Sequence, residues 1–294
     1  MNFDFDSAVK TSIEAVEPKA SYQTDDRFYT LKKDEKGEGA ALIRFLPSEI
    51  FENGSMSTMK VVYKYNVRAL NSKRFIAEWS PTTIGKSDPI QETWQRLWNA
   101  GKKEESRRFA RATRYITNIK VINDPKAPEN NGKIFLLDMS KTLAEKLKAI
   151  ISPSEQDLAL GKKPKNLYNP LNGYNFLLVA KVGANGMTTY DYSEVANEPS
   201  AIYASAEEAQ KEIQEKCYKL SDWDKPEAYP TYEYLKEKLE NLENGNADSA
   251  NTQAQEETTT TQASFAAQEV SAAPTQTIAS PTNDLNSLIA SLGK

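Results

Sequence analysis

The chain contains no histidine and a single cysteine, Cys217, among its 294 residues. Histidine is the commonest general base and the commonest metal ligand. One cysteine can complete neither a zinc finger nor a Cys-His pair. The sequence also lacks a P-loop, a G-x-S-x-G elbow and an H-E-x-x-H helix. We therefore expect a protein that is not an enzyme and that holds no metal or cofactor.

Long apolar runs are also missing, so we expect no membrane-spanning helix. The first residues, MNFDFDSAVKTSIEAV, carry two early aspartates and no apolar stretch, and we do not expect a secretory signal there. A lone cysteine fits a reducing compartment. With 39% hydrophobic and 27% charged residues, the composition is typical of a globular protein of the cytoplasm.

The net charge of −4 conceals a strong segregation of charge along the chain. Residues 60–74 hold five basic residues and no acidic one, and residues 101–120 hold seven basic and two acidic ones. Residues 191–244 hold fourteen acidic and six basic residues. Partners respond to local potential rather than to net charge, so the two basic segments indicate an anionic partner.

Aromatic residues interleave with the cations in both basic segments. Guanidinium and ammonium groups can follow a phosphate backbone while aromatic rings stack on unpaired bases. The predicted phosphate-binding residues are Lys60, Lys64, Arg68, Lys73, Arg74, Arg107, Arg108, Arg111 and Arg114. The predicted stacking residues are Tyr63, Tyr65, Phe109, Tyr115 and Tyr190. Each of these rings could instead face the core.

Short apolar-polar alternations bounded by turn residues predict strands, and amphipathic stretches with capping residues predict helices. The predicted strands are Ala40–Leu46, Met59–Val67, Arg74–Trp79, Arg114–Ile122, Lys133–Leu137, Tyr174–Val182 and Met187–Tyr192. The predicted helices are Asp88–Arg108, Ser140–Ile151, Ser205–Leu220 and Thr231–Leu242. This order indicates an α+β fold with a mainly β core, and a barrel with a basic, aromatic groove is of OB type.

The chain divides into three predicted regions: a flexible arm at 1–20, an OB-type core at 21–243 with an inserted helical and β subdomain and C-terminal helices, and a disordered tail at 244–294. Threonine, glutamine, alanine and serine dominate the tail, which cannot bury enough apolar surface to fold. Its end is amphipathic and predicts a partner-docking helix that forms on binding. The docking residues are Asp284, Leu285, Leu288, Ile289 and Leu292.

Three stretches resemble the single-stranded DNA-binding proteins of T4-like phages, the helix-destabilising proteins of the replisome. They are ALIRFLPS at 41–48, the DP-x-APEN-x-GK turn at 124–133, and 173–191 with its Asn175-Phe176 and Tyr190-Asp191 pairs. We expect the DP-x-APEN-x-GK turn to be a feature of the fold rather than a contact. The stretches occur in the family's order over roughly residues 28–220.

The resemblance implies an OB-type core and sequence-tolerant binding of single-stranded DNA in viral replication, recombination and repair, within the cytoplasm of the infected bacterium. It implies self-association along the strand, and it implies that the tail binds replication proteins such as the polymerase, the helicase loader or the primase. Arg111, Tyr115 and Tyr190 match residues of the family's cleft. Trp98 lies near an aromatic position of the family.

Three departures from the family pattern change these expectations. The family prototype has a zinc subdomain, but residues 63–91 contain no histidine or cysteine, so packing of Trp79, Trp94 and Trp98 is expected to replace the metal. The basic N-terminal motif is reduced to residues 9–12, so we expect weaker or differently built cooperativity. The tail has only five acidic residues and one basic residue after residue 244, so its competition with DNA is expected to be weak.

Two other functions are consistent with the sequence. An OB core could serve mainly as a scaffold that recruits replication enzymes through its C-terminal region. The protein could also bind RNA, for instance its own message, because stacking in a groove does not distinguish ribose from deoxyribose without a contact to the 2′-hydroxyl.

Overall fold

The computed structural model describes residues 25–50, 55–70, 74–184 and 186–244. They fall into two compact units. The first contains Tyr65–Ala112 and the segment that begins at Pro230, and the second contains Asp26–Lys64 and Thr113–Tyr229. The predicted arm at 1–20, the tail beyond residue 244 and its docking residues lie outside the described residues.

The described strands are β1 (Gly39–Leu46), β2 (Glu49–Ile50), β3 (Met56–Ser57), β4 (Lys60–Lys64), β5 (Val67–Arg68), β6 (Phe75–Ile76), β7 (Ala112–Asn123), β8 (Ile134–Ser140), β9 (Phe176–Val182), β10 (Thr188–Thr189) and β11 (Glu194–Val195). The described α-helices are α1 (Pro89–Asn99), α2 (Lys103–Arg107), α3 (Lys141–Ile151), α4 (Glu155–Ala159), α5 (Ala206–Lys216) and α6 (Tyr232–Asn244). The mixture confirms the predicted α+β class.

A seven-stranded sheet organises the second unit. Its main path runs β10-β9-β1-β7-β4, with β11 paired to β9 and β8 paired to β7. The long strand β7 therefore hydrogen-bonds to β1, β4 and β8. Among the described residues these pairings do not close into a barrel, so the finer prediction of an OB-type barrel is left open.

One face of this sheet supports the core of the second unit. Ile119 and Val121 of β7 pack there with Ile43 and Phe45 of β1 and with residues of α3 and β9. Side chains alternate across a strand, so the residues between them point to the other face. Lys120 lies there and pairs with Glu212 of α5 at 3.0 Å.

The hairpin of β7 and β8 confirms the predicted strand pair, and its connecting turn explains the DP-x-APEN-x-GK motif. The buried carboxylate of Asp124 accepts hydrogen bonds from the backbone N–H groups of Lys126 and Ala127, both at 3.0 Å, and from the Tyr29 hydroxyl at 2.7 Å. The Asn131 side chain accepts from the Asp124 N–H at 2.7 Å. These hydrogen bonds hold the turn in one conformation and tie it to Tyr29, so the motif has a role in the fold.

Arg44 explains the ALIRFLPS motif, because its guanidinium is fully buried. Its Nε donates to Asn175 Oδ1 at 3.0 Å, its Nη1 donates to the carbonyl of Asn169 at 2.9 Å, and its Nη2 donates to both oxygens of Ser200, at 2.9 and 2.8 Å. Burial lowers the pKa of Arg44. A Cβ on Gly173 would lie 2.8 Å from Arg44 Nη1 and 2.2 Å from the Asn169 carbonyl oxygen, so only glycine fits beside this cation.

The first unit builds its own small core between the β5–β6 hairpin, α1 and α6. Tyr65, Phe109 and Leu235 are buried in it. Asp88 is the N-cap of α1, because its carboxylate accepts hydrogen bonds from the N–H groups of Ile90 and Gln91 at 2.9 and 3.3 Å. Trp94 packs against this core, as predicted, and its ring stacks on that of Trp98 at a centroid distance of 5.5 Å.

Two predicted elements are interrupted in the structure. The predicted strand Met59–Val67 ends at Lys64, where the chain passes from the second unit to the first. The predicted helix Asp88–Arg108 ends at Asn99 because Gly101 adopts a left-handed φ of 77°, and α2 then starts at Lys103. Apolar residues continue across the first break, so periodicity alone does not find it, whereas Gly101 in the sequence marks the second.

Within the described residues no helix is both long and apolar enough to span a membrane.

Candidate nucleic-acid interface

Two of the predicted phosphate-binding residues of the second unit meet at one carboxylate. Arg114, near the start of β7, donates from Nε to Asp138 Oδ1 at 2.7 Å and from Nη2 to the Asp138 carbonyl at 3.2 Å. Lys64, at the end of β4, donates to Asp138 Oδ2 at 3.3 Å. The pairing of β4 and β8 with β7 brings these three residues together.

Lys60 lies at the other end of β4 and pairs with Asp224. The side chain of Lys60 is 27% exposed, whereas that of Asp224 is 63% exposed. An exposed ion pair contributes little to stability and is screened by salt. Separation of Lys60 from Asp224 therefore costs little.

Three of the predicted stacking rings belong to the second unit and remain partly exposed. Tyr115 and Tyr190 pack along the edge of its core, and Tyr63 lies on β4. Burial raises the pKa of Tyr190, the charge of Arg114 lowers it, and the charge of Asp138 raises it. The ring of Tyr190 itself packs against the core of the second unit.

The predicted cations of the first unit differ in what they contact. Arg107 is exposed and pairs with Glu104 at 2.8 Å. Arg108 donates from Nη2 to the Arg68 carbonyl at 3.1 Å, and Arg74 donates from Nη1 to the Asn241 carbonyl at 3.1 Å. The last two side chains therefore hold backbone segments together in addition to any contact with an anion. Lys73 lies outside the described residues.

Arg111 is held by a chain of polar groups that leads to the start of α1. Its Nη1 donates to Thr82 Oγ1. The Thr82 hydroxyl lies 2.8 Å from Ser80 Oγ, which in turn donates to Asp88 Oδ2 at 2.7 Å. Because Asp88 also caps α1, the helix and the guanidinium of Arg111 are fixed by one network.

The structure corrects two of the predicted stacking residues. Tyr65 is fully buried and Phe109 is 2% exposed, both in the core of the first unit. The Ser80 hydroxyl lies 3.2 Å from that of Tyr65, and burial raises the Tyr65 pKa. The prediction that these two rings stack on bases is wrong for this structure, because both rings are enclosed in the core of the first unit.

Two candidate residues were missed from the sequence. The ammonium of Lys181 lies 4.5 Å from the ring centroid of Tyr192, and that ring is 56% exposed. The register of β9 with β10 pairs Lys181 with Thr189, close in sequence to Tyr192. Lys181 stands outside both basic segments, so a search for charge runs does not find it, whereas the strand register does.

Across the described ranges, no three histidine, cysteine, aspartate or glutamate side chains cluster as metal ligands would.

The chain is similar in sequence to known DNA-binding proteins. A family model described as gp32 DNA binding protein like matches residues 37–243. The Single-stranded DNA-binding protein of Enterobacteria phage T4 is 32% identical over 215 residues, which cover 72% of this chain and 68% of that protein. The Single-stranded DNA-binding protein of Enterobacteria phage T2 is 31% identical over 226 residues, which cover 75% of this chain and 72% of that protein.

Proposed function

The chain belongs to the gp32 DNA binding protein like family, and on this premise we propose that it binds single-stranded DNA with little sequence preference. The observation that carries the proposal within the molecule is the meeting of Lys64 and Arg114 at one carboxylate, with the partly exposed Tyr115 next to Arg114 in β7. Cations beside an accessible ring can hold phosphates while a base stacks, and every base offers a π-face.

We propose that each unit contributes to binding those of its predicted cations and rings that are not fully buried. In the second unit they are Lys60, Tyr63, Lys64, Arg114, Tyr115 and Tyr190. In the first unit they are Arg68, Arg74, Arg107, Arg108 and Arg111, and Lys73 is retained from the sequence. Stacking contributes about 1–3 kcal/mol per base, so a few rings suffice for tight binding. No cofactor or metal is needed for this mode of binding.

We place this activity in viral DNA replication, recombination and repair within the cytoplasm of the infected bacterium. An OB-type core fits the proposal, because OB folds present a groove to single strands, and β7 contributes to several strand pairs as a central strand would. The arm at 1–20 is proposed to support self-association along DNA, which a loss of cooperative binding on deletion of residues 1–20 tests.

The tail is proposed to recruit replication proteins such as the polymerase, the helicase loader or the primase. Its terminal apolar set, Asp284, Leu285, Leu288, Ile289 and Leu292, has the spacing of one face of a short helix that folds on binding. Deletion of residues 283–294 is expected to leave affinity for oligo-dT unchanged and to abolish binding of these proteins. Unchanged binding of all three would remove the tail from the proposal.

A melting experiment tests the proposed function. A protein that binds only unpaired strands lowers the melting temperature of a duplex by mass action. Saturating amounts of the full chain are therefore expected to lower the melting temperature of an A·T-rich duplex, followed by ultraviolet absorbance, at low salt. An unchanged or raised melting temperature would contradict single-strand binding and favour the scaffold function.

A further inference from the structure

Asp138 is the acidic residue at which two predicted phosphate-binding cations, Lys64 and Arg114, meet. Its carboxylate accepts from Arg114 Nε at 2.7 Å through one oxygen and from Lys64 Nζ at 3.3 Å through the other. Its side chain is 19% exposed, and those of Lys64 and Arg114 are 32% and 26% exposed. Both proposed phosphate-binding cations are thus occupied by one carboxylate in the DNA-free protein.

Backbone register, rather than chance contact on the surface, brings these groups together. In the hairpin of β7 and β8, Arg114 pairs with Ser140 and Ile116 pairs with Asp138. Arg114 and Asp138 are therefore diagonal neighbours on one face of the sheet, a position from which long side chains meet. Since β4 also pairs with β7, Lys64 reaches the same carboxylate from a different strand.

We propose that Asp138 is an internal competitor, which holds Lys64 and Arg114 in place of a DNA phosphate until a strand displaces it. The inference rests on the proposed function and adds a competing anion that regulates the same interface. A carboxylate presents two oxygens to a guanidinium much as a phosphate does. With Asp138 in place, the two cations offer a strand one net positive charge instead of two.

This arrangement has two consequences for binding. Asp138 fixes the orientation of the Lys64 and Arg114 side chains before DNA binds. It also lowers the affinity for DNA below the value that two unpaired cations would give.

The substitution Asp138→Asn tests the proposal, because asparagine keeps the shape and one acceptor but removes the charge. Removing one negative charge from the interface is expected to tighten oligo-dT binding about tenfold at low salt. One more cation then becomes available to DNA, so the slope of log K against log salt is expected to steepen by about 0.7.

Glu129→Gln is the matched control. Glu129 belongs to the same unit and pairs with Lys32 at 2.8 Å. It lies in the turn at the opposite end of the same hairpin, and its replacement changes the net charge by the same amount. Its effect on affinity is expected to be less than about twofold, since exposed charges farther apart than a Debye length are screened. A difference in oligo-dT affinity between the two variants would therefore be due to the contacts of Asp138 with Lys64 and Arg114.

Unchanged or weakened binding by Asp138→Asn, relative to Glu129→Gln, would overturn the proposal and make Asp138 a positioning residue for Arg114. If the wild-type chain fails to bind oligo-dT, the proposed function itself fails, which is a different result. A second measurement needs no variant. The Arg114 Nε–H resonance of the wild-type protein is expected to shift when oligo-dT is added, and a constant resonance would show that Asp138 is not displaced.

Discussion

Replacing Arg111 and Arg114 together by glutamate is expected to weaken oligo-dT binding about hundredfold at low salt, because each change turns an attraction for phosphate into a repulsion. Arg111 is held by Thr82 in the first unit, and Arg114 is held by Asp138 in the second. Binding should be measured by fluorescence titration at several salt concentrations. The salt dependence is expected to become shallower by about 0.7 for each phosphate contact that is lost.

Lys211→Glu with Lys219→Glu is the matched control for this pair. Both lysines are exposed and lie in the acidic C-terminal part of the second unit, and the net charge changes by the same amount. The control is expected to retain oligo-dT affinity within about threefold, because neither lysine is a proposed contact and exposed charges outside the contacts act through a screened field. Equal losses in the two double variants would mean that net charge, and not the proposed interface, governs binding.

The second large effect concerns stability. Arg44→Met is expected to lower the free energy of unfolding by about 4 kcal/mol, because methionine leaves several buried acceptors unsatisfied at about 1–3 kcal/mol each. Those acceptors are the carbonyls of Asn169 and Ser200 and the side chain of Asn175. Chemical denaturation followed by circular dichroism measures the change.

Two further variants sharpen that stability test. Arg44→Lys keeps the charge but cannot reproduce the fork of donors, so it is expected to recover only part of the loss. Lys133→Met removes an exposed cation of the same unit and is expected to change the free energy of unfolding by less than about 0.5 kcal/mol. A similar small change for Arg44→Met would contradict the role given to its buried hydrogen bonds.

Local patterns in the sequence were sufficient to predict most elements of the second unit. Alternation and turn residues predicted β1, the β7–β8 hairpin and β9, because each is a continuous run with one buried face. Ser140 and Ser205 marked the starts of α3 and α5, since each side chain caps its helix. The OB-type barrel was inferred from the order of the strands and helices, and that order carries no information on which strands pair.

The candidate interface was predicted in part. Charge runs identified Lys64 and Arg114, but Asp138 could be found only from the register that places it diagonally across from Arg114. Tyr65 and Phe109 lie in the same runs as exposed cations, yet both are core residues of the first unit. In the sequence of a basic segment, a buried aromatic ring and an exposed one look the same. Only the residues of α1 and α6 that pack against Tyr65 and Phe109 show that these rings are buried.

Fluorescence-quenching titration with oligo-dT, duplex DNA and RNA of equal length, at several salt concentrations, tests the central claim most directly. The account predicts tighter binding to oligo-dT than to duplex, with quenching of aromatic fluorescence and log K falling by about 0.7 for each neutralised phosphate on a log-salt axis. Stronger binding to RNA would favour the RNA-binding alternative. No binding to oligo-dT at low salt would contradict the account and leave the tail-mediated scaffold as the function to test.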